Sequence, residues 1–199
     1  MTSPRTASLH RKTRETDIQL ELNLDGEGIS SISTGIGFFD HMLELFSKHS
    51  LIDLKIEATG DLHVDYHHTV EDVGLALGEC IHTALGDRKG ITRYGWALLP
   101  MDEAMSRVAV DLGGRPVLVY SIDHPAELIR DFPLIVFKEF FKAFSTTGKM
   151  NLHIAQLYGE DPHHAFESVF KGLAKAVKMA LTIDPRVTGV PSSKGTLTE

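Results

Sequence analysis

Two short motifs in the chain pair adjacent histidines with a carboxylate. The first is HHTVED, beginning at His67, and the second is HHAFES, beginning at His163. If each motif starts a helix, His67 shares a face with Glu71, and His163 shares a face with Glu167. Imidazole and carboxylate suit manganese, zinc, iron or nickel, and a cluster without cysteine favours a labile catalytic metal over structural zinc. Simple helix capping is the alternative, but it explains one copy better than two.

The segment before each motif carries a further residue of a metal-binding type. His41 stands in FFDHML, and its counterpart in the second half is Glu139 in FKEFFKAF. A solvated side chain is the alternative for each, whereas their equivalence favours ligands. His49, further along the His41 segment, is a candidate substrate contact. Eight candidate ligands are too many for one ion and fit two ions with positions open for substrate: His41, His67, His68, Glu71, Glu139, His163, His164 and Glu167.

Basic side chains near turns could bind an anion. Arg93 lies in GITRYG, Arg115 in GGRP and Lys194 in PSSKG. Arginine binds phosphate in a bidentate manner, and the Ser-Ser-Lys-Gly segment adds hydroxyls, a point charge and close backbone approach. Lys171 follows His163 by two helical turns, which would place a phosphate about 10 Å from a metal. Each residue alone is typical of a solvated charge, but together on an acidic protein they favour an anion pocket.

The sequence contains two similar copies of the elements that must position these residues. FDHMLELFSKHSLIDLKI aligns with FKEFFKAFSTTGKMNLHI, after which the two histidine motifs coincide. Such self-similarity indicates an internal duplication. We interpret residues 1–199 as a single domain made of two pseudo-repeats, about 8–95 and 96–191, with a C-terminal tail that contacts substrate.

Both halves show the same order of periodic patterns. IQLELNL and RVAVDL alternate at period two, and each is followed by a glycine turn and a short strand, which predicts a hairpin. Helical patterns then cover Phe38 to Lys48 and Pro133 to Ser145, each followed by a strand and by a helix from the double histidine. Asp161 is a predicted N-cap. Hairpins mixed with helices predict an α+β layered fold with pseudo-twofold halves.

Composition excludes several classes of protein. The chain has 199 residues, of which 42% are hydrophobic, which is enough to bury one core. A lone cysteine, Cys80, cannot form an internal disulfide and favours a reducing cytoplasm. No apolar stretch approaches about twenty residues, which argues against a membrane span or a secretion signal. The formal net charge of −7 argues against nucleic-acid binding.

Seven spaced motifs, from about Ser8 to Leu197, resemble the imidazoleglycerol-phosphate dehydratase family. They are FFDHML, DYHHTVEDVGLALGE, GITRYG, PMDEAM, DLGGRP, LYGEDPHHAFESVFKGLAKA and VPSSKGTL. The resemblance implies a duplicated α+β fold with helices packed between or against mixed β-sheets, similar to domain 2 of ribosomal protein S5. It also implies a monofunctional, cytoplasmic enzyme of histidine biosynthesis. That enzyme would bind two Mn²⁺ ions per site and form a homo-oligomer, a 24-mer built from trimers, with sites completed across subunits.

The resemblance implies roles for the residues of this sequence that match the family's motifs. Glu139 departs from the histidine that some members have there, although glutamate can also bind manganese. The residues implied in catalysis are Glu15, His41, Glu71 and Glu167. The implied substrate contacts are Glu15, His41, His49, His67, Glu71, Arg93, Arg115, His163, Lys171, Ser193 and Lys194.

The implied reaction converts imidazoleglycerol phosphate to imidazoleacetol phosphate and water. Metal on the imidazole nitrogens would stabilise an imidazolate and make the ring an electron sink. A carboxylate would move the carbon-bound proton. Glu15 is the first candidate for this base, with Asp102 and Glu103 as weaker ones, and a salt bridge from Glu15 to Arg11 or Arg14 is the alternative.

Two other functions stay open from the residues alone. One is a dinuclear metal-dependent hydrolase of phosphate esters, which the surplus of histidine over aspartate in the cluster counts against. The other is a metal-buffering or cage-forming protein, which leaves Arg93, Arg115 and the SSKG segment unexplained.

Overall fold

The computed structural model describes residues 4–197, so residues 1–3 and 198–199 of the predicted domain lie outside the description. The chain forms ten strands and four helices within residues 4–197, and residues 182–197 follow the last helix as an irregular segment. In chain order the elements are β1 (Thr6–Lys12), β2 (Thr16–Asn23), β3 (Ser30–Ser33), α1 (Gly37–Ser50), β4 (Asp53–Gly60), α2 (His67–Leu85), β5 (Tyr94–Met101), β6 (Ala104–Asp111), β7 (Val117–Ser121), β8 (Leu128–Ile129), β9 (Phe132–Pro133), α3 (Val136–Gly148), β10 (Asn151–Tyr158) and α4 (Pro162–Leu181).

The strands form two four-stranded sheets of the same topology. The first has the order β1-β2-β4-β3, and the second has the order β5-β6-β10-β7. In each sheet the first three strands are antiparallel neighbours, and the fourth lies parallel to the third. Strands β8 and β9 form a separate two-stranded ribbon. The predicted α+β fold with mixed sheets is confirmed.

The four helices lie between the two sheets. Helices α1 and α2 pack on the first sheet, α3 and α4 pack on the second, α2 contacts α3, and α1 contacts α4. The α2–α3 contact is close because it runs through glycines. A Cβ on Gly74 would lie 2.7 Å from the carbonyl oxygen of Phe140, and one on Gly78 would lie 2.5 Å from that of Phe144. Buried phenylalanines fill the remaining space, each contributing about 1.5–3 kcal/mol of hydrophobic stabilisation.

Each histidine motif begins a helix, as predicted. The Asp161 side chain accepts a hydrogen bond from the backbone N–H of His163 at 2.7 Å, so the predicted cap of α4 is confirmed. Asp65 likewise accepts from the N–H of His67 at 2.8 Å at the start of α2. A carboxylate beside the first free N–H groups stabilises a helix start and fixes the direction in which the histidines leave it.

The predicted hairpins between β2 and β3 and between β6 and β7 are wrong. Strand β3 pairs in parallel with β4, and β7 pairs in parallel with β10. In each half a helix connects these two strands, and a strand–helix–strand crossover makes its strands parallel neighbours. The hairpins are instead β1–β2 and β5–β6. The sequence analysis missed β1, an edge strand on which only Ala7 and Leu9 are apolar.

Candidate functional site

Three of the predicted ligands meet where α1 packs against α4. Among residues 4–197, His41, His163 and Glu167 form one group in which a ligand atom from each lies within 4.8 Å of the others. The Glu167 carboxylate is central, because its Oε1 lies 2.8 Å from Nε2 of His41 and 3.2 Å from Nε2 of His163. Phe38 packs beside this group, with its ring centre 5.4 Å from that of His163. The centre therefore joins the two halves of the chain.

Glu167 is ionised although its side chain is only 8% exposed. Burial raises its pKa, but hydrogen bonds from Lys171 and His41 outweigh burial and hold that pKa to about 2. Lys171 donates from Nζ to Oε2 of Glu167 at 2.5 Å. An ionised carboxylate with two imidazole nitrogens within reach matches the donor set that manganese, iron or zinc prefers. The residues present therefore fit a divalent metal.

Lys171 and His49 lie beside the same centre. The ammonium of Lys171 contacts Glu167 directly, so this lysine lies at the centre itself. Burial, followed by the charges of Lys175 and Lys171, lowers the pKa of His49. His49 lies in the last turn of α1, the helix that packs against α4, and its contact with substrate stays a prediction.

The second histidine of the first motif faces acidic side chains. Nδ1 of His68 lies 2.9 Å from Oδ2 of Asp61 and 3.8 Å from Oε2 of Glu15. The hydrogen bond to Asp61 raises the pKa of His68. Glu15 makes no ion pair with an arginine among the described residues, so its contact is the histidine rather than Arg11 or Arg14.

The second motif repeats this arrangement. Nδ1 of His164 lies 2.7 Å from Oε2 of Glu103, which raises the pKa of His164, and Nε2 lies 3.6 Å from Oδ2 of Asp102. Glu103 also accepts from the backbone N–H groups of Asp161 and Glu160, at 2.9 and 3.2 Å. These bonds, first that from Asp161 and then that from His164, lower the pKa of Glu103 to about 2.

The remaining predicted ligands stay outside the three-residue group. His67 and Glu71 approach one another to 3.8 Å between Nε2 and Oε2. Glu139, on α3, lies 3.4 Å from the ammonium of Lys142. Within one chain, the structure therefore brings together three of the eight predicted ligands and leaves the others at the helix starts or on α3.

The predicted anion-binding residues other than Lys171 line one cavity. Its volume is about 380 Å³, and Arg93, Arg115, Ser193 and Lys194 all contribute to its wall. The guanidinium of Arg93 is held by the carboxylate of Asp111, with nitrogen–oxygen distances of 2.7 and 3.1 Å. Asp111 neutralises Arg93, whereas Arg115 and Lys194 have no carboxylate partner among residues 4–197. With serine hydroxyls beside them, these cations make a wall suited to a phosphate.

Three acidic residues that no motif predicted hold side chains of the candidate site or its surroundings. Asp61 orients His68, Asp111 holds Arg93, and Asp72 is buried against the β1–β2 hairpin. For Asp72 a signal existed, since it ends the HHTVED motif, whereas Ser168 ends HHAFES. Nothing in the local pattern distinguishes Asp61 or Asp111 from solvated residues.

The fold and the site define an α+β enzyme with a candidate metal centre at the start of α4 and an anion pocket near the other end of that helix. No helix within residues 4–197 is long and apolar enough to cross a membrane. A family model for imidazoleglycerol-phosphate dehydratase matches residues 34–177. The chain belongs to the imidazoleglycerol-phosphate dehydratase family, the hydro-lyases of histidine biosynthesis, and the resemblance carried by the motifs is confirmed.

Individual relatives agree with the family match. The imidazoleglycerol-phosphate dehydratase of Nitrobacter hamburgensis is 55% identical over 194 residues, covering 97% of this chain and 98% of its own. That of Methylorubrum extorquens is 53% identical, covering 97% and 100%.

Two solved structures share the fold. The crystal structure of the Staphylococcus aureus dehydratase superimposes with a TM-score of 0.82 at 35% identity, covering 90% of this chain and 99% of that one. The Pyrococcus furiosus enzyme, solved in complex with (S)-C348, gives a TM-score of 0.82 at 35% identity, covering 95% and 100%.

Proposed function

We propose that this chain dehydrates imidazoleglycerol phosphate to imidazoleacetol phosphate and water, as the name of its family describes. The observation that carries the proposal is the Glu167 carboxylate, which is ionised, nearly buried and shared by two imidazoles next to the ammonium of Lys171. The alternative of a phosphate-ester hydrolase has no support from the family or from the related structures.

The proposed cofactor is Mn²⁺, two ions per active site. His41, His163 and Glu167 would hold one ion, and their donor types support this. The other proposed ligands are His67, His68, Glu71, Glu139 and His164. When bound, manganese supplies a Lewis acid that draws electrons from the substrate's imidazole ring and hydroxyl groups.

Protein side chains would supply the proton transfer. Removing water from this substrate requires that one carbon lose its proton and that the neighbouring carbon lose its hydroxyl. Glu15 is the proposed base, because its carboxylate lies on a turn that faces His68. Asp102 and Glu103 occupy the matching turn in the second half and face His164. We also propose catalytic roles for His41, Glu71 and Glu167.

The anion cavity is the proposed subsite for the substrate phosphate. Arg93, Arg115, Ser193 and Lys194 line it, and three of them are cationic. Further proposed substrate contacts belong to the metal centre and its surroundings: Glu15, His41, His49, His67, Glu71, His163 and Lys171.

We propose that the active site is completed in a cytoplasmic homo-oligomer, a 24-mer built from trimers. Two observations support assembly. Within one chain only three proposed ligands converge. The outer face of the second sheet also exposes large apolar side chains, Trp96 and Leu98 on one edge strand and Val117 and Val119 on the other, and exposed apolar surface of this kind favours protein contacts.

A metal-reconstitution assay tests the proposed function. Metal-stripped protein should not convert imidazoleglycerol phosphate, and added Mn²⁺ should restore conversion together with about two bound ions per chain. Native mass measurement of the same samples reports assembly. Phosphate release without loss of the substrate hydroxyl, or full activity after metal removal, would contradict the proposal. Arg115→Ala should raise KM without changing the bound manganese.

A further inference from the structure

Asp72, the last residue of HHTVED, makes contacts that no proposed metal or substrate role uses. It lies on α2 one turn beyond His68, on the same face of the helix. Its side chain is 11% exposed. Oδ2 accepts a hydrogen bond from the hydroxyl of Thr16 at 2.5 Å, and Oδ1 accepts from Nη2 of Arg11 at 2.9 Å. Because Arg11 is on β1 and Thr16 begins β2, Asp72 ties α2 to both strands of the hairpin.

The turn between these two strands carries Glu15. Thr13 closes the turn, because its hydroxyl oxygen accepts from the N–H groups of Glu15 and Thr16 at 3.1 and 3.0 Å. Thr16 is only 3% exposed, whereas Glu15 is exposed. The backbone of Glu15 is thus held between bonded neighbours, while its carboxylate reaches to 3.8 Å from His68. Any shift of Thr16 away from α2 would move Glu15 with it.

The second half contains the same arrangement with a neutral contact. Ser168 lies one turn beyond His164 on α4, at the position that matches Asp72. Its hydroxyl lies 2.5 Å from that of Ser106, and both serines are fully buried. Ser106 belongs to the hairpin whose turn presents Glu103 to His164. Each half therefore combines a histidine, a carboxylate on a hairpin turn, and a buried contact that holds the hairpin on the helix.

We propose that Asp72 is a positioning residue that holds the β1–β2 turn on α2, and so keeps the Glu15 carboxylate at the reacting carbon of the substrate. The inference rests on the proposed role of Glu15 as the base. Asp72 acts through Thr16 and Arg11 and does not itself contact the reacting atoms. Among residues 4–197 the Glu15 carboxylate accepts no backbone N–H group, whereas the Glu103 carboxylate accepts two. A charged contact at Asp72 therefore suits the first half.

Steady-state kinetics of manganese-loaded Asp72→Asn and Thr16→Val test the inference. Each variant should lower kcat about 10–100-fold, since displacement by about 1 Å can cost that much. KM and the manganese content per chain should stay within about twofold. Thr16→Ser keeps the hydroxyl and should retain the kcat of the parent. Asp17→Asn is the matched control, because Asp17 follows Thr16 but pairs outward with His10 and Lys12.

Combination with Glu15→Gln separates this inference from the role of Glu15. If Asp72 acts through Glu15, Asp72→Asn should cause no further loss of kcat in the Glu15→Gln background. Normal kcat in both Asp72→Asn and Thr16→Val, with Glu15→Gln impaired, overturns the positioning role and leaves the base assignment intact. Normal kcat in Glu15→Gln removes the base assignment and the inference with it. A loss of thermal stability with unchanged kcat would show that Asp72 is only structural.

Discussion

The two halves of the molecule share strand order and helix placement, but they present different outer surfaces. The outer face of the first sheet carries exposed polar side chains such as Gln19, Glu21 and Lys55. The matching face of the second sheet exposes Trp96 and Leu98, at 63% and 60%. The sheets bury the same kind of face against the helices, so the fold does not require this difference. The buried faces carry the shared topology, while the outer faces have been free to diverge.

The two contacts between helices of different halves, α1 with α4 and α2 with α3, also carry different side chains. Where α1 meets α4, His41 of one half contacts Glu167 of the other. At the matching contact of α2 with α3, the equivalent of His41 is Glu139, which lies beside Lys142. One contact has thus assembled an ionised carboxylate with two imidazoles, while the other has not. Equivalent positions in a duplicated fold therefore need not form equivalent sites.

Replacement of Gly95 should produce the largest effect on stability. A Cβ on Gly95 would lie 1.8 Å from the carbonyl oxygen of Ala176, which is helix backbone and cannot rotate away. In the first half, a Cβ on Gly60 would meet the side-chain hydroxyl of Thr69 at 1.9 Å instead. Gly95→Ala should lower the free energy of unfolding by more than about 3 kcal/mol, and Gly60→Ala by about 1–2 kcal/mol. Urea unfolding measures both.

Gly37→Ala is the control for these variants, because no atom of residues 4–197 lies within 4 Å of its added Cβ. Equal losses in the free energy of unfolding for Gly95→Ala and Gly60→Ala would show that both halves accommodate the added Cβ equally well. That result would contradict the expected difference between the halves.

The two motif glutamates should contribute unequally to the stability of metal-free protein. Glu167 is nearly buried and neutralises Lys171, whereas Glu71 is 38% exposed and has only a 3.8 Å contact with His67. Glu167→Gln weakens the charge-assisted bonds and leaves the largely buried ammonium of Lys171 without its counter-charge. It should therefore cost about 1–3 kcal/mol, and Glu71→Gln less than about 0.5 kcal/mol. Denaturant unfolding after chelation checks this, and a larger loss for Glu71→Gln would contradict it.

Local patterns predicted the helices and the Asp161 cap of α4, because period and turn chemistry act over a few residues. The grouping of Arg93 with Lys194, which lie far apart in the chain, was predicted from their shared charge instead. They failed for β1 and for the pairing of β3, since strand partners depend on the path of the intervening helix. The pairing of His41 with Glu167 also depends on packing between the halves, which no single motif encodes. The predicted domain boundaries and the roles of the individual site residues stay predictions.

The outer faces of the sheets should differ in their part in assembly. Trp96→Glu places a charge on the apolar face of the second sheet. If that face is a contact in the proposed homo-oligomer, this variant should give smaller species than the parent in native mass measurement. Gln19→Glu makes a comparable change on the polar face of the first sheet and should leave the particle unchanged. An unchanged particle in Trp96→Glu would assign subunit contacts to other surfaces.

The smallest expected difference concerns Cys80 in α2, whose counterpart in α4 is Ala176, and both are buried. Burial raises the pKa of the Cys80 thiol to about 12. Because the fold favours the neutral thiol, its contribution to stability is complete below the pKa of an unfolded cysteine and declines as pH rises from about 9 towards 12. Cys80→Ala should remove that part of the alkaline decline. A thiol reagent at pH 8 should label the native protein far more slowly than protein in denaturant. Equal labelling rates would contradict this, because they would require α2 to separate from α3 in the native protein.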